Sequence, residues 1–212
     1  AKAPALAASR YLQRYPDGIG QFARPSDAKG PVSPRELRGR NARDTVALIN
    51  AVQRFAVEQT RLGIPVLFHE EALHGYVAFD ATMFPQAIAL AATWDTDLMT
   101  RVATAIAVET QARGIRQVLS PVINIADDVR WGRVEETYGE DPYLSAEMGR
   151  AFIGAFETLR VITTPKHFVA NVGEGGRDSY PVQHSERLLQ ERFYPPFEVA
   201  VREARVRSVM TA

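Results

Sequence analysis

Apolar positions along this chain follow two alternating rhythms. Across residues 41–62, Val46, Ile49, Phe55 and Ala56 recur at helical spacing, and Gly63 stands where a helix-terminating glycine belongs. Residues 64–68 then form a short continuous apolar run, which predicts a buried strand. Asp95 is placed to cap a helix whose inner face carries Leu98, Val102 and Ile106 and which Gly114 closes. Residues 118–125 predict the next strand. Leu144, Met148, Phe152 and Phe156 recur with a four-residue spacing and predict a helix, and residues 161–164 a strand. Ser185 opens a helix carrying Leu188, Leu189 and Phe193, which Pro195-Pro196 must interrupt. Residues 206–210 predict a last strand. The pattern is weakest at the front, where Asp17-Gly18, Pro25-Ser26 and Pro31 and Pro34 predict loop with one apolar piece at residues 19–22.

Strands apolar on both faces, alternating with helices, argue for a parallel sheet covered by helices. A doubly wound sheet and a (β/α)8 barrel both fit that alternation. No glycine-rich phosphate turn follows the first strands, which weakens the nucleotide-binding version. Polar clusters instead follow several strands: Glu70-Glu71, Asp127-Asp128-Val129-Arg130 and Lys166-His167. Barrel enzymes build their sites at that end of the strands. A whole barrel takes about 250 residues, and this chain has 212 and ends on a predicted strand. The expected fold is therefore α/β, a (β/α)8 TIM-type barrel that is incomplete in this chain. Residues 1–34 are expected to be an irregular lead-in and residues 35–212 the partial barrel.

Composition narrows the classes further. Lys plus Arg and Asp plus Glu are both 25, so the net charge is zero, and 46% of residues are hydrophobic. That is enough apolar material to offset chain entropy, and it excludes disorder over most of the length. Zero net charge speaks against a nucleic-acid partner, and no run of about 18 apolar residues speaks for a membrane span. The absence of Cys excludes disulfides, thiol nucleophiles and thiolate metal sites. The chain opens at Ala1 without a charged and apolar leader, so processing or truncation at the front is expected. Arg35, Arg38, Arg40 and Arg43 read as a solvated helix face near a helix start rather than an anion site.

Four segments hold the candidate chemistry. His69 and His74 flank two glutamates, but a zinc-protease helix needs its histidines four residues apart, and these are five apart. A ligand-binding carboxylate at Glu71 and a strand end with satisfied polar groups both remain open. The stretch from Arg130 to Pro142 packs two Arg, four carboxylates and two aromatics without a clean polar and apolar split. Arg forks and aromatic faces grip hydroxyl-rich rings, whereas structural ion pairing is the plainer reading. Lys166 and His167 end a strand, where they either donate hydrogen bonds to a neutral polyol or pair with a nearby carboxylate. Gly173-Glu174-Gly175-Gly176-Arg177 lacks the Lys-Ser/Thr tail of a phosphate loop, and Ser185 reads as a cap, since no G-x-S-x-G surrounds a serine.

Four stretches together resemble the N-terminal barrel domain of glycoside hydrolase family 3. They are Phe68-His69-Glu70-Glu71-Ala72-Leu73-His74-Gly75, Phe84-Pro85-Gln86-Ala87-Ile88-Ala89-Leu90, residues 130–142, and Pro165-Lys166-His167-Phe168-Val169-Ala170-Asn171. The resemblance implies an exo-acting, retaining enzyme of β-glucosidase type, with β-xylosidase as the alternative. A non-catalytic sugar-binding fragment is the rival from another class, and an α/β phosphate-binding enzyme a distant third. Position by position, the resemblance makes Glu71, Arg133, Lys166, His167 and Arg177 substrate-binding residues of the non-reducing-end subsite. It makes Arg130, Glu135 and Glu140 supports. The nucleophilic Asp and the acid/base are expected beyond Ala212, so the isolated chain is expected to be inactive. With its barrel open, that chain is also expected to aggregate or melt early. The resemblance implies no metal and no organic cofactor, a small oligosaccharide or β-glycoside as substrate, and the rest of the barrel plus a C-terminal domain as further parts. Family habit favours a periplasmic or secreted location. Glu71, where many glucosidase-like members have Asp, leans towards a pentose. Val169-Ala170-Asn171 departs from the N-acetylglucosaminidase branch.

Overall fold

A computed structural model describes residues 14–27, 39–173 and 181–212. Arg35, Arg38 and the candidate Arg177 lie outside the described residues. The parallel strands β1 (Gln21–Ala23), β2 (Leu67–Glu70), β3 (Gln117–Val118) and β4 (Ile162–Thr163) stand side by side in chain order. Helices α1 (Ala42–Gln59), α2 (Ala87–Ala91) with α3 (Thr96–Ala112), and α4 (Pro142–Thr158) fill the crossovers. A sheet whose spatial order follows the sequence is barrel connectivity. A doubly wound sheet would reverse its order at a switch point. The fold is thus α/β, a partial TIM-type barrel.

Residues 19–22 were expected to lie in loop, but Gln21–Ala23 pair with β2, Phe22 standing opposite Phe68. The first helix and strand are also displaced from the sequence expectation. α1 begins as expected, with the Asn41 side chain accepting from the Asp44 N–H at 2.8 Å, but it ends at Gln59 with Thr60 as cap. The following run enters the sheet only at Leu67. The Gln53 amide explains the shift: it accepts from the Val66 N–H at 2.9 Å and donates to the Val66 carbonyl at 2.6 Å. That pair of hydrogen bonds occupies the backbone of Val66, so Ile64 and Pro65 serve as connection, and Ile64 is exposed.

The expected strand at 118–125 is reduced to Gln117–Val118 and a parallel bridge between Val122 and Lys166. Pro121 has no N–H to give to a ladder. Beyond it, Val122 packs with Trp131 and Val172, Ile125 packs with Ala170 and Phe193, and Ile123 joins the main core. The caps predicted at Asp95 and Ser185 accept from the N–H of Leu98 at 2.8 Å and Leu188 at 3.2 Å. Pro195-Pro196 do interrupt the last helix. A short α5 (Glu186–Leu188) runs into a π turn over Leu189–Phe193, and α6 (Pro195–Arg202) starts afresh with proline in its first turn. The expected strand at 206–210 is extended chain beside residues 165–168. Phe168 donates to the Met210 carbonyl at 2.7 Å, Met210 to Pro165 at 3.1 Å, and Ala212 to Phe168 at 2.8 Å.

Side-chain parity sorts the strands into two faces. Phe68 and Val118 join Ile106, Phe152, Phe156 and Val161 in the main core between sheet and helices. Thr163, on the same face, donates to Glu157 of α4 at 2.9 Å. Gln117 points the other way and donates to Thr164 at 3.0 Å and Ser208 at 3.3 Å, forming a polar layer inside the array. Glu71 shares the parity of His69, and Lys166 that of Thr164, so both belong to the interior face. α4 approaches closely because Gly149 has no side chain; a Cβ there would lie 2.9 Å from Ile123 Cγ2.

Candidate active-site residues

Glu71 follows β2 and Lys166 follows β4, 95 residues apart, and the interior of the array brings them together. The Lys166 ammonium donates to Glu71 Oε2 at 2.7 Å. The lysine side chain is only 4% exposed and the glutamate 35%. A buried ammonium requires a compensating charge, and Glu71 supplies it while keeping part of its carboxylate open. Beside them, burial pulls the His69 ring below its ordinary pKa despite the opposing pull of Glu71. A neutral His69 leaves Lys166 as the cation on that carboxylate.

The second group is carried by the loop between β3 and α4. Arg133 grips Glu136 with two parallel bonds, Nε to Oε1 and Nη2 to Oε2, both 2.7 Å. Its third nitrogen, Nη1, lies 3.3 Å from His167 Nε2, and its guanidinium sits 5.8 Å from the Trp131 ring centroid. Arg133, Trp131, Lys166 and His167 are all buried. The aromatic face and the bidentate carboxylate hold the planar fork in a fixed place.

Glu70, one residue before Glu71, has the opposite parity and a different environment. It is buried, accepts from the Ser26 hydroxyl at 2.6 Å, and lies 3.4 Å from the Tyr76 hydroxyl. The Arg113 guanidinium stacks on Tyr76, 4.9 Å from its centroid. Burial pushes the Glu70 carboxyl from an ordinary 4.5 up to about 7, against the lowering effect of the Ser26 bonds. The folded chain therefore holds a proton here that the unfolded chain has already released. The contribution of this group to stability is complete below about pH 4.5 and is lost as pH rises to about 7, by about 3 kcal/mol. Glu70→Gln should remove this slope and be the more stable protein above neutrality. Denaturant midpoints at about pH 5 and about pH 8 test it; an unchanged pH slope in the variant would exclude Glu70 as its source.

These residues lie within a stretch that matches a known family. Residues 34–212 fit the model of the glycosyl hydrolase family 3 N terminal domain. The chain belongs to glycosyl hydrolase family 3. It is 44% identical over 170 residues to a β-xylosidase of Formosa agariphila, covering 71% of this chain and 23% of that protein. It is 41% identical over 129 residues to a β-glucosidase of Rhizobium radiobacter, covering 61% and 16%. A solved β-glucosidase from Erythrobacter marinus superposes with a TM-score of 0.86 at 32% identity, over 100% of this chain and 28% of that one. A β-glucosidase from Listeria innocua, solved in complex with glucose, gives a TM-score of 0.77 at 26% identity, over 100% and 28%. The chain thus spans about a quarter, or less, of the relatives it matches.

Of the family 3 site residues read from the sequence, the structure brings together Glu71 with Lys166, and Arg133 with His167; Arg177 lies outside the described residues. The supports differ from the expected ones. Arg130 pairs with Asp128 at the surface, at 2.6 Å, and Glu135 is exposed. Glu136 is the carboxylate on Arg133. Only the backbone carbonyl of Glu140 takes part, accepting from Arg192 at 3.2 Å, while Arg192 also pairs with Asp127 and so ties the π turn to the site loop. Sequence reasoning passed over Asn124, which bonds His167. Its one signal was an amide standing between Val122-Ile123 and Ile125-Ala126, an apolar stretch that buries it. Among the described residues no three His, Asp or Glu side chains gather into a metal site, and His74 Nδ1 instead bonds the Phe84 carbonyl at 2.9 Å. Nor is any described helix long and apolar enough to cross a membrane.

Proposed function

We propose that these residues form the sugar-binding part of a retaining, exo-acting β-glycosidase that removes terminal non-reducing β-D-glycosyl residues. The observation that carries this reading is the Glu71–Lys166 pair, set at 2.7 Å inside the array next to the Arg133–His167 contact. A neutral sugar ring offers hydroxyls that both donate and accept. The carboxylate, the ammonium and the guanidinium meet them with charge-assisted bonds, which are shorter and stronger than neutral ones. Such bonds strengthen further as the ring takes on oxocarbenium character. Engaged by Lys166, Glu71 serves as an acceptor for ring hydroxyls rather than as the attacking carboxylate. On this reading the nucleophile and the acid/base belong to other segments of the whole protein, with the remaining barrel and a further domain enclosing the same substrate.

The full-length protein should release nitrophenol from a nitrophenyl β-glucoside with retention at the anomeric carbon, followed by NMR. The 212-residue chain alone should release none. Inversion of configuration, or turnover by the isolated chain, would overturn the proposal. A β-xylosidase is the second reading. Glu71 favours it, because its longer side chain reaches further into the subsite than Asp and leaves less room for a hexose. A kcat/KM at least about tenfold higher on the xyloside than on the glucoside would select it.

A further inference from the structure

Asn124 makes contacts whose polarity leaves no freedom. Its Oδ1 lies 2.8 Å from the backbone N–H of His167, which can only donate. Its Nδ2 lies 2.7 Å from the carbonyl of Ala170 and 3.2 Å from that of His167, which can only accept. A flipped amide would oppose like to like at all three, so the orientation of Asn124 follows from the backbone alone. The same Oδ1 lies 2.9 Å from His167 Nδ1. An oxygen with no hydrogen can only accept there, so Nδ1 carries the proton. At the other side of the ring, Nε2 faces Arg133 Nη1 at 3.3 Å. A guanidinium only donates, so Nε2 must present its lone pair. Two independent neighbours thus select the same tautomer. Both Asn124 and His167 are buried, which keeps water from substituting for either bond.

We propose that Asn124 is a positioning residue that fixes His167 as the Nδ1–H tautomer, so that Nε2 offers a lone pair, not a proton, to Arg133 and helps hold its guanidinium in place. The sequence left open whether Lys166 and His167 donate to a polyol or pair with a carboxylate: Lys166 pairs with Glu71, and the His167 ring is held between Asn124 and Arg133. The kinetic part rests on the glycosidase reading; the tautomer does not.

The experiment is long-range 1H–15N NMR of the full-length protein labelled at histidine, at neutral pH, with His167 assigned by its loss in His167→Gln. The native spectrum should show Nδ1 protonated and Nε2 bare. Asn124→Gln keeps both the acceptor and the donor of the amide and should keep that pattern where it reaches the same backbone groups. Asn124→Ala leaves Arg133 as the one selector, so the Nδ1–H form should stay the major one but with a detectable share of Nε2–H, and kcat/KM on a nitrophenyl β-glycoside should be lower by about tenfold to a hundredfold. A proton on Nε2 in the native protein overturns the proposal, as does an unchanged His167 spectrum in Asn124→Ala. If Asn124→Ala does not fold, the native spectrum still decides. A native protein inactive on every nitrophenyl β-glycoside would overturn the glycosidase reading and leave the spectra to judge the tautomer.

Discussion

Lys166→Met in the full-length enzyme is expected to lower kcat/KM on a nitrophenyl β-glycoside by two to three powers of ten. The reason lies in where the two partners stand. The Lys166 side chain is 4% exposed and Glu71 is 35% exposed. Methionine fills nearly the same volume, so the surrounding packing survives. The pair is lost, and Glu71, being partly open, recovers hydration instead of remaining as a stranded buried charge. The penalty therefore falls on substrate binding more than on folding. A hydrogen bond to a charged group contributes about 1.5–3 kcal/mol, and the variant loses the bond from Lys166 to the substrate together with the fixed position of Glu71, so the effect is about 3 kcal/mol or more than a hundredfold. The melting temperature should move by only a few degrees. Steady-state kinetics on both proteins, with thermal melts as control, make the measurement. Activity within about threefold of native would show that the pair does not serve the substrate. Lys166→Arg is not expected to rescue, because a planar fork cannot occupy the site of a compact ammonium.

Glu136→Ala is expected to act in the opposite proportion, on stability first. The Arg133 and Glu136 side chains are 7% and 14% exposed, and their two bonds are both 2.7 Å. Arg133 cannot shed its charge to relieve burial. Without its bidentate partner the guanidinium must draw in water or leave its place over Trp131. We expect a loss of about 3 kcal/mol, seen as a lower denaturant midpoint at constant slope. Activity should fall as well, because the nitrogen that meets His167 is no longer held. Glu136→Gln keeps one acceptor and should lose about half as much. A Glu136→Ala protein within about 0.5 kcal/mol of native would mean that Arg133 is carried by other contacts.

Lys166 and Glu136 also mark two grades of legibility. Lys166 was readable, because a lysine and a histidine closing an apolar run are out of place unless something meets them. Its partner was not readable as a partner. Glu71 and Lys166 are 95 residues apart, and their contact depends on β2 and β4 each standing one place from β3. Glu136 lay in plain sight three residues after Arg133, but Glu135 and Glu140 were equally available in the same acidic stretch. The turn over Val134–Glu136 decides between them by rotating Glu136 towards the fork and leaving Glu135 in solvent. Asn124 was hidden in a run read as one strand. Pro121 ends the ladder early, and the residues after it turn an amide onto the backbone of 167 and 170.

By itself, the sequence determined what depends on short range. Helical periodicity, the capping side chains Asp95 and Ser185, and the proline break before α6 were legible because covalent spacing and adjacent backbone groups decide them. It also determined the family, since long ordered stretches carry that resemblance. Tertiary structure alone decided which strands neighbour each other, where each enters the sheet, and which carboxylate meets which cation. Those outcomes turn on pairings between distant segments, on single side chains such as Gln53 that displace a strand by several residues, and on parity that a local run does not reveal. A buried charge is stable only where the whole fold brings its counterpart, and that meeting is set by the sheet, not by any segment within it.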